Sequence, residues 1–170
     1  RWTKGTVNVG QTNPITVKEA GIHYLVGMPT DSGKLPVGKY SYNLVGGTMP
    51  TATDSQGNLI NSTGAAIAGS FTLDFTKQTG TLALGLSLDN TNLAITSSSS
   101  SVFKETGSNL SFSKLNVQIG TSMCTKCDAS ATGFLAGTNA EMAGFDYTVN
   151  NISINNTNTT VTGVAAFGNR

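Results

Sequence analysis

Cys124-Thr125-Lys126-Cys127 is the one local motif in this chain with an obvious chemistry. Two thiols at this spacing can close a disulfide, supply half of a tetrahedral zinc site or cycle as a redox pair. Zinc requires a second Cys or His pair, and the chain offers no other cysteine and a single histidine, His23, about a hundred residues upstream. A thioredoxin-type pair sits at a helix N-terminus after a strand in an α/β setting, which this sequence lacks. The expectation is a Cys124–Cys127 disulfide pinning a loop in an oxidising compartment, with metal and redox roles as the lesser alternatives. Its entropic contribution is small because the loop is short.

His23 stands beside Tyr24, a pairing able to ligate haem iron, with Met28 and Met49 near in sequence. The plainer reading puts His23 on the polar face of a strand and Tyr24 in the core. The acidic residues Glu19, Asp31, Asp54, Asp74, Asp89, Glu105, Asp128, Glu141 and Asp146 are scattered, and no spacing forces two of them together. Nucleophile-elbow, Walker and dinucleotide motifs are absent, so no catalytic, metal or cofactor-binding residue is assigned and no cofactor is expected. Asn-x-Ser/Thr triplets at Asn61, Asn109, Asn151, Asn155 and Asn158 are what chance gives in a chain so rich in these residues.

The elements that would position these residues are strands. Leu82, Leu84, Leu86 and Leu88 alternate with Thr81, Ala83, Gly85 and Ser87, a period of two that lines one face of a half-buried strand. Phe71, Leu73 and Phe75 repeat the pattern, and Lys77-Gln78-Thr79-Gly80 joins the two runs as a hairpin link. Leu93 and Ile95 continue the meander. Further strand-length runs cover 22–26, 40–45, 110–119, 145–149 and 161–167, with a weaker one near 3–9. The total is about eight to ten strands. Helical turns are expected only at 17–20 and 139–143. Stretches 51–64 and 97–101 read as loops. Parallel α/β folds need helices between strands and are excluded, whereas alternation alone leaves barrel and sandwich both open.

Charged residues make up 11% of the 170 residues, against about 25% in an average domain. Ser, Thr and Asn together supply about a third. Coiled coils and charged tails are excluded, and a net charge of +1 gives no footprint for nucleic acid. No apolar run approaches the ~18 residues of a membrane helix. The chain opens at Arg1 without a signal pattern, so it is expected to be a mature chain or an excised domain, with any signal or anchor lying outside it. The expected organisation is a strap or handle over 1–36, with three prolines and irregular spacing, followed by a main domain over 37–170.

From Gly133 onward, Gly133-Phe134-Leu135-Ala136-Gly137-Thr138-Asn139-Ala140-Glu141-Met142-Ala143-Gly144 resembles the G-F-x-x-G-x-x-A-E-x-x-G motif of the small barrels in transferrin-binding protein B and related bacterial surface lipoproteins. The closing Val161-Thr162-Gly163-Val164-Ala165-Ala166-Phe167 resembles their final strand. The segments Gly21 to Thr30 and Tyr40 to Thr48, with the late motif, are also similar to barrels at the C-terminal end of some FecR-domain proteins. The resemblance implies an all-β fold: an eight-stranded antiparallel barrel filled by side chains, with a short flanking N-terminal strand segment.

Transferrin or haem binding is not carried over with it, because no loop here matches a transferrin-binding one. The functional expectation is a non-enzymatic exported module that binds a protein partner at the bacterial cell surface or in the periplasm, with loops 51–64 and 97–101 the first surfaces to consider. Two rivals stand beside it. One is a self-assembling subunit of a fibre or adhesin, because few charges guard the strand edges. The other is a haem or iron carrier using His23 or Tyr24.

Overall fold

A computed structural model describes residues 5–7, 15–17, 21–61, 64–88, 91–97, 108–154 and 156–169. In chain order the strands are β1 (Gly5–Val7), β2 (Ile15–Val17), β3 (Lys39–Gly47), β4 (Thr51–Thr53), β5 (Leu59–Asn61), β6 (Gly64–Asp74) and β7 (Thr79–Leu88). They continue with β8 (Thr91–Thr96), β9 (Asn109–Ile119), β10 (Ser122–Met123), β11 (Asp128–Ala136), β12 (Met142–Ile154) and β13 (Thr157–Asn169). The one helical element among the described residues is a 3₁₀ turn at Ser32–Lys34, capped by Asp31.

Eight strands form a closed antiparallel ring in the order β3, β6, β7, β8, β9, β11, β12, β13. The last returns to the first through Ala165↔Gly47 and Phe167↔Leu44. This closure settles the choice between barrel and sandwich that alternation leaves open. Among the described residues three short strands extend the ring's sheet: β4 and β5 form a hairpin beside β13, and β10 folds back on β9. β1 and β2 pair only with each other.

The alternating leucines behave as their spacing requires. Leu82, Leu84, Leu86 and Leu88 all point inward and are buried. At the centre of the lumen Phe71 stacks on Tyr42 at 5.1 Å and meets Phe145 edge-on at 5.0 Å, with Phe112 at 6.1 Å and Phe167 at 6.3 Å. Aromatic rings therefore fill the interior, as expected for a barrel of eight strands. The Tyr42 hydroxyl donates to the Ala140 carbonyl at 2.9 Å, and its pKa is pushed up to about 12, chiefly by burial. Burial raises the Tyr147 phenol as well, and its hydroxyl has no hydrogen-bond partner among the described residues.

Two expectations need correction. The stretch 51–64 is not simply a loop, because Thr51 and Ala52 are buried and pair with β13 as β4. Its polar residues hid a strand whose ladder, rather than a hydrophobic face, fixes it. The expected helical turn at 139–143 is a tight non-helical turn leading into β12, with Ala140 at φ 59°. Of the other expected helical turn, Val17 ends β2, and 18–20 lie outside the described residues.

Beyond Val149 the β12–β13 hairpin carries a bulge at Asn151 (φ 59°) that bends its tip and returns Ile152 and Ile154 to the core. Positive φ is tolerated by Asn more readily than by branched residues.

Candidate functional site

Residues Gly21 to Thr30 run as an extended strap across the outside of the barrel. Alternate side chains face the wall. His23 lies within 2.6 Å of Thr48 Oγ1 through Nδ1 and 2.8 Å of Thr51 Oγ1 through Nε2, and Thr51 in turn meets Thr162. Leu25 packs over Gly144, where a Cβ would come within 2.8 Å of it. Gly27 passes over the tip of the Phe134 ring. Thr30 then fixes the far end, its amide donating to Leu135 O and its hydroxyl to Gly137 O, each at 2.9 Å.

The other set of side chains, Ile22, Tyr24, Val26 and Met28, points away from the barrel and is 38%, 56%, 87% and 77% exposed. This reverses the expectation for Tyr24, which is outside the core. Alternation identifies two faces but not which one meets the wall, and here the wall takes the histidine and a glycine. Met49, on the following segment, is also largely exposed. Both imidazole nitrogens engage threonine hydroxyls, so iron ligation by His23 would have to displace one of them.

The Gly133–Gly144 motif is explained by construction. A Cβ on Gly133 would overlap the Gly144 carbonyl of the paired strand. Gly137 adopts φ 96°, open to glycine at little cost, and a side chain there would strike the Glu141 carboxylate. That carboxylate accepts the Asn139 amide at 3.0 Å, and this backbone hydrogen bond foremost holds it below its usual pKa. The Glu141 carbonyl accepts Asn169 N at 2.8 Å, tying the turn to the final strand.

Other acids also brace turns. Asp54 accepts the amides of Gln56 and Asn58, and Asp74 those of Thr76 and Lys77, at 2.8–3.1 Å. No group of three or more His, Cys, Asp or Glu able to hold a metal exists among the described residues. Glu19, Asp89, Glu105 and residues 98–101 of the expected loop lie outside them.

Cys124 and Cys127 form a disulfide between β10 and β11, with Cα atoms 5.5 Å apart. Cys127 Sγ lies 3.7 Å from the Asn151 carbonyl oxygen, which places the pair beside the bend in the β12–β13 hairpin. Closing so short a loop stabilises by at most about 2 kcal/mol. Reduction is therefore expected to lower Tm by no more than roughly 4–8 °C without unfolding the barrel, and thermal melts with and without a phosphine reductant measure it.

Beside the strap, β9, β11 and β12 present a shallow groove of about 520 Å³. Ladder pairing sets its residues in two rows, Ser111–Thr132–Asp146 and Asn109–Phe134–Gly144. Leu25 forms the wall on the β12 side. Thr132 Oγ1 donates to Asp146 Oδ1 at 2.9 Å. Residues 25, 109–111, 132–134 and 146 come from four segments, and no sequence pattern links them.

No family model matches the chain. No curated protein matches it either. Among solved structures it is similar to a tryptophan-to-alanine mutant of the vaccine antigen transferrin binding protein B from Haemophilus parasuis Hp5, with TM-score 0.51 and 15% identity over 83% of this chain. It is also similar to intact Ap-TbpB, described with its N and C lobes, with TM-score 0.41 and 14% identity over 84% of this chain. The chain spans 28% and 29% of those two proteins. The likeness to the Haemophilus protein is one of fold: the eight-stranded barrel is of the transferrin-binding protein B type.

Proposed function

We propose that this chain is a non-enzymatic binding module of an exported bacterial protein, working at the cell surface or in the periplasm, in which residues 1–36 form the interaction strap and 37–170 its scaffold. The observation that carries the reading is the outward row Ile22, Tyr24, Val26 and Met28, uncharged and exposed on a strap fixed to the barrel by His23 and Thr30. Held apolar surface of this kind marks a protein contact. The side-chain-filled lumen favours a ligand met on the outside. From the Haemophilus protein's name we take the class, a protein-binding barrel, and not its ligand.

Closure of the barrel speaks against the fibre rival. Outside the ring, the strands among the described residues are only two or three residues long, too short to template a second chain. A haem carrier is disfavoured by the occupied imidazole of His23, and an unchanged Soret band on mixing with hemin is expected.

The test places a photo-crosslinking residue at Val26 or Met28, and for comparison at exposed Lys77, in the protein expressed in its native envelope. Adducts of one discrete mass at the strap positions and none at Lys77 are expected. Equal labelling at all three positions, or none at the strap, overturns the reading.

A further inference from the structure

We infer that the groove between β9, β11 and β12 is a second binding site, for a neutral hexose-based oligosaccharide, independent of the strap's outward face. The inference rests on what the groove offers and on what remains unused. Asp146 Oδ1 accepts Thr132, while Oδ2 has no partner among the described residues, and neither have the side chains of Asn109 and Ser111. One acceptor-only carboxylate, one amide with donors and acceptors, and one hydroxyl with both therefore face the same space. A ligand with adjacent hydroxyls, each able to donate and accept, matches that set.

The apolar side of the groove fits the same class. Phe134 is half-buried and lines the groove beside Leu25, giving an aromatic and aliphatic wall next to the polar row. A pyranose has the same division, a ring face of C–H groups with hydroxyls at its edge, and aromatic side chains take such faces. The rows lie two residues apart along the strands, roughly 7 Å, on strands about 4.8 Å apart, so a sugar ring can lie on the sheet and reach both.

Other ligand classes fit less well. Asp146 would repel a phosphate or carboxylate, and as the one charged residue in the groove it gives a basic peptide a single anchor.

The experiment uses the full chain, ¹⁵N-labelled, titrated with glucan hexasaccharides of α-1,4 and β-1,3 linkage and with chitohexaose, at millimolar concentration. Saturable shifts confined to residues 109–111, 132–134, 146 and the strap near Leu25 are expected, with an affinity insensitive to salt because the ligand is neutral. Phe134→Ala should weaken binding about tenfold, and Asp146→Ala about tenfold or more. Asn109→Ala and Asp146→Asn, both at exposed positions, keep the test open if Phe134→Ala fails to fold. Shifts elsewhere on the barrel, no saturation with any of the three sugars, or binding unaltered in Asp146→Asn and Asn109→Ala would overturn the inference. So would a response limited to a lysine-rich peptide and abolished by salt.

Discussion

Replacing Phe71 with alanine is expected to destabilise the protein by about 3–5 kcal/mol, in the range for a large aromatic side chain deleted from a closed core. Phe71 is fully buried and is the ring on which Tyr42, Phe112, Phe145 and Phe167 converge. These rings come from five different barrel strands, so the cavity could be refilled only by moving several strands whose ladders hold them in place. For a domain of this size the change corresponds to a fall in Tm of roughly 6–20 °C. Phe71→Leu should recover most of it, leaving a loss under about 2 kcal/mol. Urea unfolding followed by near-ultraviolet circular dichroism measures both. A loss below about 1 kcal/mol for the alanine variant would mean that the five rings do not pack as one unit.

Gly133→Val is expected to have the second large effect, by the opposite route. Here the added atoms meet backbone rather than flexible side chain: the Gly144 carbonyl and, at 2.9 Å, the Phe145 Cα of the paired strand. Either β12 moves away, breaking a ladder that runs from Asp128↔Asn150 to Ala136↔Met142, or β11 twists out of register. A cost of at least about 3 kcal/mol follows from such overpacking, with partial unfolding of the β11–β12 region. Gly46→Ala is the control. Nothing lies within 4 Å of a Cβ built there, and its φ is not positive, so alanine should be neutral or stabilising by up to about 1 kcal/mol. If the two variants melted together, the close approach at Gly133 would not be a constraint on the fold.

These two positions also show how much the sequence discloses. Phe71 lies in a run whose alternation is plain, and the β6–β7–β8 meander is legible from Phe71 to Ile95 because large inward residues contrast with Thr, Ser and Gly outward, whereas the first half of β6, from Gly64 to Ser70, is mostly small residues and shows no such contrast. β11 has no such contrast over its first half, since its inward residues are Ala129 and Ala131. It could be anticipated only from Gly133 onward, through a resemblance to barrels already known. β4 was hidden for a related reason. Its order comes from pairing with Thr160, Val161 and Thr162, a non-local relation that a polar local pattern does not announce.

The sites were less legible than the strands. Cys124 and Cys127 carry their relation in their spacing, and the disulfide follows. His23 suggests a ligand in isolation, and only the fold reveals Thr48 and Thr51 on either side of its ring. The groove residues Asn109, Ser111, Thr132 and Asp146 are ordinary outward residues in a chain rich in them. Ladder register alone makes them neighbours.

Barrel closure also sets a schedule. The pair that shuts the ring joins Gly47 to Ala165, so the first barrel strand waits for the last. Neighbouring hairpins such as β6–β7 can form early, but the aromatic interior cannot be sealed until β13 has been synthesised and has found β3. Contacts this distant in sequence make for slow folding. Until then the barrel-edge strands remain unpaired on one side in a chain with few charges to guard them. The vulnerable period of this protein is therefore its time as an open sheet.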